Sequence, residues 1–223
     1  MSDSEHPPIE IDGSKFVDVL AFFVDRQAKI YGPVFYNLAT KYALDFESKK
    51  LREKIPKDVV SFDQVKDYLK RNLERYPHSY CAMLYGLIKA ESSLQGGTGT
   101  STRLATSSVA EKERQDDGGV VSAVSLADAM KKCQEGVRNG RFMPDFGYEL
   151  VSDEQANCTV YNCHCRDACE ASIKEKLVRV GGRPWCALLR YAVADLGLTT
   201  GEPFEYELQK FGNPNCKGKI FKV

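Results

Sequence analysis

The spacing of apolar residues changes along this chain, and that change limits the folds it can adopt. Up to Leu94, apolar residues recur every three or four positions, which is typical of helices. After Asp145, short runs rich in β-branched and aromatic residues appear instead. We therefore predict an α+β fold with a helical N-terminal half, followed by a C-terminal antiparallel sheet of the order hairpin, helices, hairpin, packed on helices.

The segment between these two regions has a different composition. Residues 95–119 are rich in Gly, Ser, Thr and charged residues and contain almost nothing that a core could bury. Such a composition is typical of a flexible loop or linker. The predicted organisation is a helical region over 1–94, a linker over 95–120 and an α+β module over 121–223, with the two ordered parts either separate or joined in one domain.

Local signals give approximate limits for the elements. Ser61 and Gln64 form a capping-box pattern ahead of an apolar face, and Ser125 stands where it would cap a later helix that Gly136 and Gly140 close. The predicted N-terminal helices cover Phe16 to Tyr31, the stretch after Gly32-Pro33, the stretch from Phe62, and Ser79 to Leu94. The C-terminal elements are a hairpin from Asp145 to Cys163, a helix from Ala168 to Val180, a helix opened by Pro184, and a hairpin around the turn GNPNCKG.

Charge and hydropathy exclude several classes of function. Lys and Arg total 31, as do Asp and Glu, so there is no excess of positive charge to indicate binding to nucleic acid or to a membrane surface. The sequence has no apolar run near 18 residues and no signal-peptide pattern at its start. We therefore expect a cytoplasmic protein whose eight cysteines are reduced and serve as ligands or core residues.

Four of the eight cysteines and one histidine fall within thirteen residues, from Asn157 to Cys169. On a strand, Cys163 and Cys165 would face the same way and could bind one ion together. The sequence thus predicts a site with soft ligands, for which zinc is the first expectation and an iron–sulfur cluster the alternative. Buried structural thiols are the competing interpretation, and it is the one we favour for Cys81 and Cys133. The candidate metal ligands are Cys163, Cys165 and Cys169, with a more distant ligand from Cys186 or Cys216.

The C-terminal 80 residues resemble the vinyl-4-reductase-like, hydrocarbon-binding domain family. The matching features are Asn162-Cys163 at the end of a hairpin, Cys186 on a helix, the strand from Phe204 to Glu207, and Cys216 in the last turn. The resemblance implies an antiparallel sheet against helices around a small apolar pocket, often in a dimer. It also implies a zinc site of one Glu and three Cys, but Lys210 stands three residues after Glu207, where sensor members of the family have a cysteine.

The resemblance also suggests what the protein does. It implies a sensor-like binding protein for a small hydrophobic or aromatic molecule, acting as a homodimer, with a pocket lined by Trp185, Tyr191, Phe204 and Tyr206. Core packing is the alternative role for these aromatic residues. Two other functions remain open: a reductase acting on an unsaturated ring or tetrapyrrole, and a non-catalytic assembly subunit like the related TRAPP tethering subunits. No catalytic residue can be nominated, and a reductase would need an outside electron donor, since no nicotinamide or flavin motif is present.

Overall fold

The computed structural model confirms the α+β fold, with a helical N-terminal half and a C-terminal antiparallel sheet packed on helices. It describes residues 10–76, 79–95, 123–141, 143–177, 186–212 and 215–223. The helices are α1 (Gly13–Tyr31), α2 (Val34–Leu51), α3 (Phe62–Asn72), α4 (Tyr80–Gln95), α5 (Leu126–Gly140), α6 (Arg166–Lys174) and α7 (Ala187–Thr200). The strands are β1 (Phe146–Ser152), β2 (Gln155–Val160), β3 (Phe204–Lys210) and β4 (Cys216–Lys222).

Side-chain caps fix the starts of several helices. The predicted capping box opens α3: Ser61 Oγ accepts from the Gln64 N–H at 3.3 Å, and Gln64 Oε1 accepts from the Ser61 N–H at 2.9 Å. Ser125 caps α5, as its position in the sequence predicts. Gly136, however, lies inside α5 and does not end it, because the helix continues to Gly140. A single glycine lowers the stability of a helix without being enough to stop it.

The sheet has the strand order β1-β2-β4-β3, and every neighbouring pair is antiparallel. Two hairpins, β1β2 and β3β4, are joined edge to edge by β2 and β4. Cys216 is the first residue of β4, opposite Val160 of β2, and therefore does not lie in the turn where we expected it. Strand β2 ends at Val160, so Cys163 and Cys165 follow the strand, and the argument that they share a strand face does not apply.

The elements form two compact units. The sheet unit contains α5, the four strands and α7, and the helical unit contains α1 to α4 together with α6. Helix α6 is shorter than the predicted helix from Ala168 to Val180, and α7 begins at Ala187, three residues after the predicted start at Pro184. Pro184 and most of the predicted linker lie outside the described residues.

Each unit has its own apolar core. In the helical unit, aromatic and aliphatic side chains of α1 to α4 are fully buried, among them Phe16, Phe23, Phe35 and Leu69. In the sheet unit, Phe146, Ala156 and Ile220 of the strands are buried, as are Leu189 and Leu196 of α7. Gly218 allows α7 to approach β4 closely, because a Cβ there would lie 2.9 Å from Leu189 Cδ1. This contact brings the start of α7 beside the start of β4.

Candidate functional site

Three cysteines that are distant in sequence lie at one end of the sheet unit. Cys216 begins β4, and its partner across the ladder, Val160, is three residues before Cys163. The turn that holds Cys163 is fixed by a hydrogen bond of 3.2 Å from the Asn162 N–H to Asn215 Oδ1. Asn162 adopts a left-handed backbone conformation with φ of 43°, which Asn tolerates better than most residues. The loop after β2 is thereby held next to the residue that precedes Cys216.

Cys186 joins this pair from the start of α7, where it is the N-cap residue. Burial raises the pKa of the Cys186 thiol to about 12, and Cys163 and Cys216 add to the increase. Hydrogen bonds from the backbone N–H groups of Leu189 and Leu188 lower the pKa of this thiol and offset part of the increase. The contributions of Cys163 and Cys216 to this shift indicate that both thiols lie within electrostatic range of Cys186. We call these three residues the thiol cluster.

A tyrosine and an arginine extend the thiol cluster into the core. Arg190 Nε donates a hydrogen bond of 3.1 Å to the Tyr206 hydroxyl, and both residues are buried, with exposures of 7% and 3%. Burial raises the pKa of Tyr206 to about 12; Arg190 opposes this shift and Cys186 adds to it. Tyr206 therefore interacts with both Arg190 and Cys186. Through Tyr206, the buried guanidinium group of Arg190 is linked to Cys186 of the thiol cluster.

Sequence reasoning missed Arg190, although the sequence contained a signal for it. The run ALLRYAVADLGL in α7 is apolar apart from Arg190 and Asp195, and both residues are buried. A charged residue in a helix that is buried on most sides requires a specific reason, because burying a charge is costly unless it is compensated. That rule, applied to the sequence, would have nominated both positions.

The other two nominated ligands belong to the helical unit. Cys165 is buried and caps the N-terminus of α6, and Cys169 lies in the first turn of that helix, where its N–H donates to the Cys165 carbonyl at 3.0 Å. In the same unit, the Cys81 thiol donates to the His164 carbonyl oxygen at 2.7 Å. Of the five nominated cysteines, the structure therefore brings Cys163, Cys186 and Cys216 together in one unit and assigns Cys165 and Cys169 to the other.

All eight cysteines are thiols, with no disulfide bond. Within the described part of the chain, no group of three or more His, Cys, Asp or Glu side chains is already arranged to hold a metal ion. As its side chains stand, the thiol cluster is not arranged to hold an ion. Its chemistry suits a thiophilic ion, because three sulfur donors are present and a buried guanidinium can offset the negative charge of thiolates.

Another cysteine of the sheet unit lies in the middle of a strand and has a different role. Cys158, in the middle of β2, is 2% exposed, and burial alone raises the pKa of its thiol to about 12. It lies opposite Gly218, two residues along β4 from Cys216. Its place in the ladder is that of a core residue, and it packs as a small apolar side chain.

The residues nominated for an apolar pocket have mixed environments. Tyr191 and Tyr206 are buried, and Phe204 is partly exposed at the start of β3. Phe204 and Tyr206 are two residues apart on β3 and therefore lie on the same face. Trp185 lies outside the described residues.

The structure is that of an α+β protein whose sheet unit contains the thiol cluster. Comparison with known protein families, with curated proteins and with solved structures finds no match. None of the helices in the described ranges is both long enough and apolar enough to cross a membrane.

Proposed function

We propose that this protein is a metal-supported binding protein in which Cys163, Cys186 and Cys216 hold a thiophilic ion, with zinc as the first candidate. The observation that carries the proposal is the convergence of three thiols from the loop after β2, the start of α7 and the start of β4. An ion bound by all three would join both hairpins to α7. Its binding free energy would therefore contribute to the stability of the sheet unit.

The buried Arg190 gives this proposal a second support. Zinc bound by three thiolates carries a net negative charge, which is costly to bury without compensation. The guanidinium group, bonded to Tyr206 beside Cys186, supplies a positive charge close to the ion. The small hydrophobic or aromatic ligand that the family resemblance implies stays a separate prediction, with Trp185, Tyr191, Phe204 and Tyr206 as its nominated contacts.

The test is metal binding by a panel of cysteine variants. We expect the full-length protein to bind Zn²⁺, and Co²⁺ as a spectroscopic substitute, with the absorption of thiolate–cobalt bonds. Cys163→Ala, Cys186→Ala and Cys216→Ala should each lose affinity by more than the roughly 10- to 100-fold that removal of an outer-shell partner costs. The same variants should lose the increase in Tm that Zn²⁺ gives the wild type.

Cys158→Ala is the matched control, because Cys158 is a buried thiol of the same unit and plays no part in the proposed site. It should bind Co²⁺ as the wild type does, even where its Tm is lower. Cys165→Ala and Cys169→Ala test whether these two cysteines, which the sequence also nominates, take part in binding. Both variants should keep the wild-type affinity for Co²⁺. Wild-type affinity in all three cluster variants, or an equal loss in Cys158→Ala, would refute the proposal.

A further inference from the structure

A glutamate in the helical unit is buried without a charged partner among the described residues. Glu47, on α2, has no exposed surface. Its Oε1 accepts a hydrogen bond of 2.6 Å from Ser79 Oγ, just before α4, and one of 3.0 Å from Asn72 Nδ2 at the end of α3. Glu47 thus connects three helices through one carboxyl oxygen.

The second oxygen of the same carboxyl group, Oε2, is buried and has no hydrogen-bond partner in the described part of the chain. An ionised carboxylate with a dry oxygen is expensive to bury, whereas a protonated carboxyl group costs far less. The geometry matches the protonated form, since Oε1 then acts as the carbonyl oxygen that accepts both hydrogen bonds, and Oε2 carries the proton. Burial raises the pKa of Glu47, and the hydrogen bonds from Ser79 and Asn72 offset only part of the increase.

The ionisable groups around Glu47 do not neutralise its charge. Lys50, one turn along α2, pairs instead with Asp167 of α6 at 2.9 Å. The Tyr76 hydroxyl also donates to Asp167, and Glu47 and Asp167 both raise the pKa of Tyr76. None of these groups is among the causes of the shift in the pKa of Glu47, which are burial and the hydrogen bonds from Ser79 and Asn72.

The other helices packed against α2 direct their described charged groups elsewhere. On α1, Asp25 accepts from the Tyr36 hydroxyl, and Asp18 pairs with Lys70 of α3. On α4, Cys81 donates to the His164 carbonyl and Lys89 pairs with Glu175. Glu91 of α4 lies twelve residues beyond Ser79, about 18 Å along a helix axis. His78, next to Ser79 in sequence, lies outside the described residues.

We propose that Glu47 is a proton-binding site that couples the packing of α2, α3 and the start of α4 to pH. The folded protein keeps a proton on Oε2 that the unfolded chain releases, and loss of that proton leaves a buried charge that the hydrogen bonds from Asn72 and Ser79 compensate only in part. This site is independent of the thiol cluster.

The direction of the pH effect follows from linkage. In the unfolded chain Glu47 loses its proton near the ordinary pKa of 4.5, whereas in the folded protein it loses it at higher pH. Between these two values the folded state binds more protons than the unfolded state, so the free energy of unfolding falls as pH rises. At pH values above the pKa of Glu47 in the folded protein, the stabilisation from its proton is fully lost. Glu47 then no longer makes the free energy of unfolding depend on pH.

The experiment compares urea unfolding of wild type and Glu47→Gln, followed by far-UV circular dichroism, from pH 4 to pH 9. The glutamine side chain of this variant has almost the same shape, keeps the acceptor for Ser79 and Asn72, and cannot ionise. We expect the stability of the wild type relative to this variant to fall as pH rises above about 4.5, and then to level off. Parallel curves for the two proteins would overturn the proposal.

Glu53→Gln is the matched control in the same unit. Glu53 accepts two hydrogen bonds from Arg75, at 2.5 and 3.1 Å, and these lower its pKa. The stability of the wild type relative to this variant should therefore rise with pH, the opposite sign from Glu47.

Ser79→Ala provides an independent test should Glu47→Gln fold poorly. Removing the Ser79 hydroxyl removes a bond that lowers the pKa of Glu47, so the pH range over which stability falls should extend to higher pH. The proposal would be contradicted if, in this variant, the pH range over which stability falls stayed the same or moved to lower pH.

Discussion

Asp145 joins the end of α5 to the first strand and to the loop that leads to Cys163. Its carboxylate, 6% exposed, accepts from Arg138 Nε at 3.1 Å and from Arg138 Nη2 at 3.0 Å. The same side chain accepts from the Phe146 N–H at 2.8 Å, and the Asp145 carbonyl accepts from the Tyr161 N–H at 3.0 Å. One residue therefore fixes a helix, a strand and the loop of the thiol cluster.

We predict that Asp145→Ala lowers the free energy of unfolding by about 2–3 kcal/mol, because it leaves the buried Phe146 N–H without its acceptor and removes the buried carboxylate that pairs with Arg138. The control is Glu207→Ala, which removes the cross-strand pair with Lys219 on a solvent-facing part of the sheet and should cost less than about 1 kcal/mol. Urea denaturation of both variants gives the comparison. Equal costs would mean that burial does not strengthen the Asp145 contacts.

At the scale of single residues, the sequence could nominate candidate ligands but could not place them in the fold, and their role as ligands stays a prediction. Cys163, Cys186 and Cys216 were nominated as ligands, and the structure brings them together. Cys165 was grouped with Cys163 by strand alternation, but β2 ends three residues before Cys163. Periodicity cannot locate such an end, because the limits of a strand depend on its partners across the ladder.

Among the elements, α2 and α4 make a close helix contact, and Gly86 allows it. A Cβ at Gly86 would lie 2.9 Å from the Ala43 backbone nitrogen and close to the Ala39 carbonyl oxygen. Both atoms belong to the backbone of α2 and cannot rotate away. A side chain at this position would therefore have to push the two helices apart.

We predict that Gly86→Ala destabilises the protein by about 1–3 kcal/mol or more, since the cost of overpacking exceeds the gain in helix propensity. Gly136→Ala is the matched control, because Gly136 also lies inside a helix and a Cβ there would meet nothing within 4 Å. It should stabilise the protein by about 0.4–1 kcal/mol. Thermal unfolding of both variants measures the difference, and a stabilising Gly86→Ala would show that α2 and α4 can separate without cost.

The helices and hairpins themselves were predictable from local sequence. The capping box at Ser61, the cap at Ser125 and the break at Gly32-Pro33 all act through neighbouring residues, and the corresponding helices begin where these signals stand. The contact at Gly86 was not predictable, because the helical spacing of α4 does not show which neighbour approaches which face. Packing partners depend on the whole chain.

In the whole molecule, each unit is built from segments that lie both before and after residues 96–122 in the sequence. After Cys163 it leaves the sheet unit to form α6, which packs in the helical unit, and it returns to the sheet unit with α7. Two pairs of side chains hold α6: Lys50 and Tyr76 bond to Asp167, and Tyr85 and Lys89 bond to Glu175 at 2.5 and 2.6 Å. At the other end of the chain, Arg141 of the sheet unit bonds to Glu10, at 2.9 Å from its Nε to the carbonyl oxygen.

No local pattern predicts this arrangement. The sequence around α6 predicts one more helix of the C-terminal module. In the structure, Asp167 and Glu175 instead contact residues that lie 117 and 86 positions earlier in the chain. Asp167 and Glu175 are ordinary charged residues of an amphipathic helix when read from sequence. Only the folded structure distinguishes them from Glu170, which pairs within its own helix with Arg166 at 2.8 Å.

The exchange of segments leads to a prediction for the cleaved protein. A recognition site for a sequence-specific protease, inserted between residues 100 and 115, divides the chain into an N-terminal and a C-terminal fragment. We expect the two fragments to stay together in size-exclusion chromatography without denaturant, since α6 of the second fragment completes the helical unit of the first. Independent migration of the fragments would show that the α6 contacts are too weak to matter.

The control carries the same insertion with Asp167→Ala and Glu175→Ala. These substitutions remove the carboxylates that Lys50, Tyr76, Tyr85 and Lys89 bond to in the second fragment. The cleaved control should therefore separate at a lower urea concentration than the cleaved parent protein. A second control, Glu170→Ala, breaks only the pair with Arg166 on α6 itself and should leave that concentration unchanged. If both controls separate as the parent does, apolar packing rather than the two carboxylates holds α6 in the helical unit.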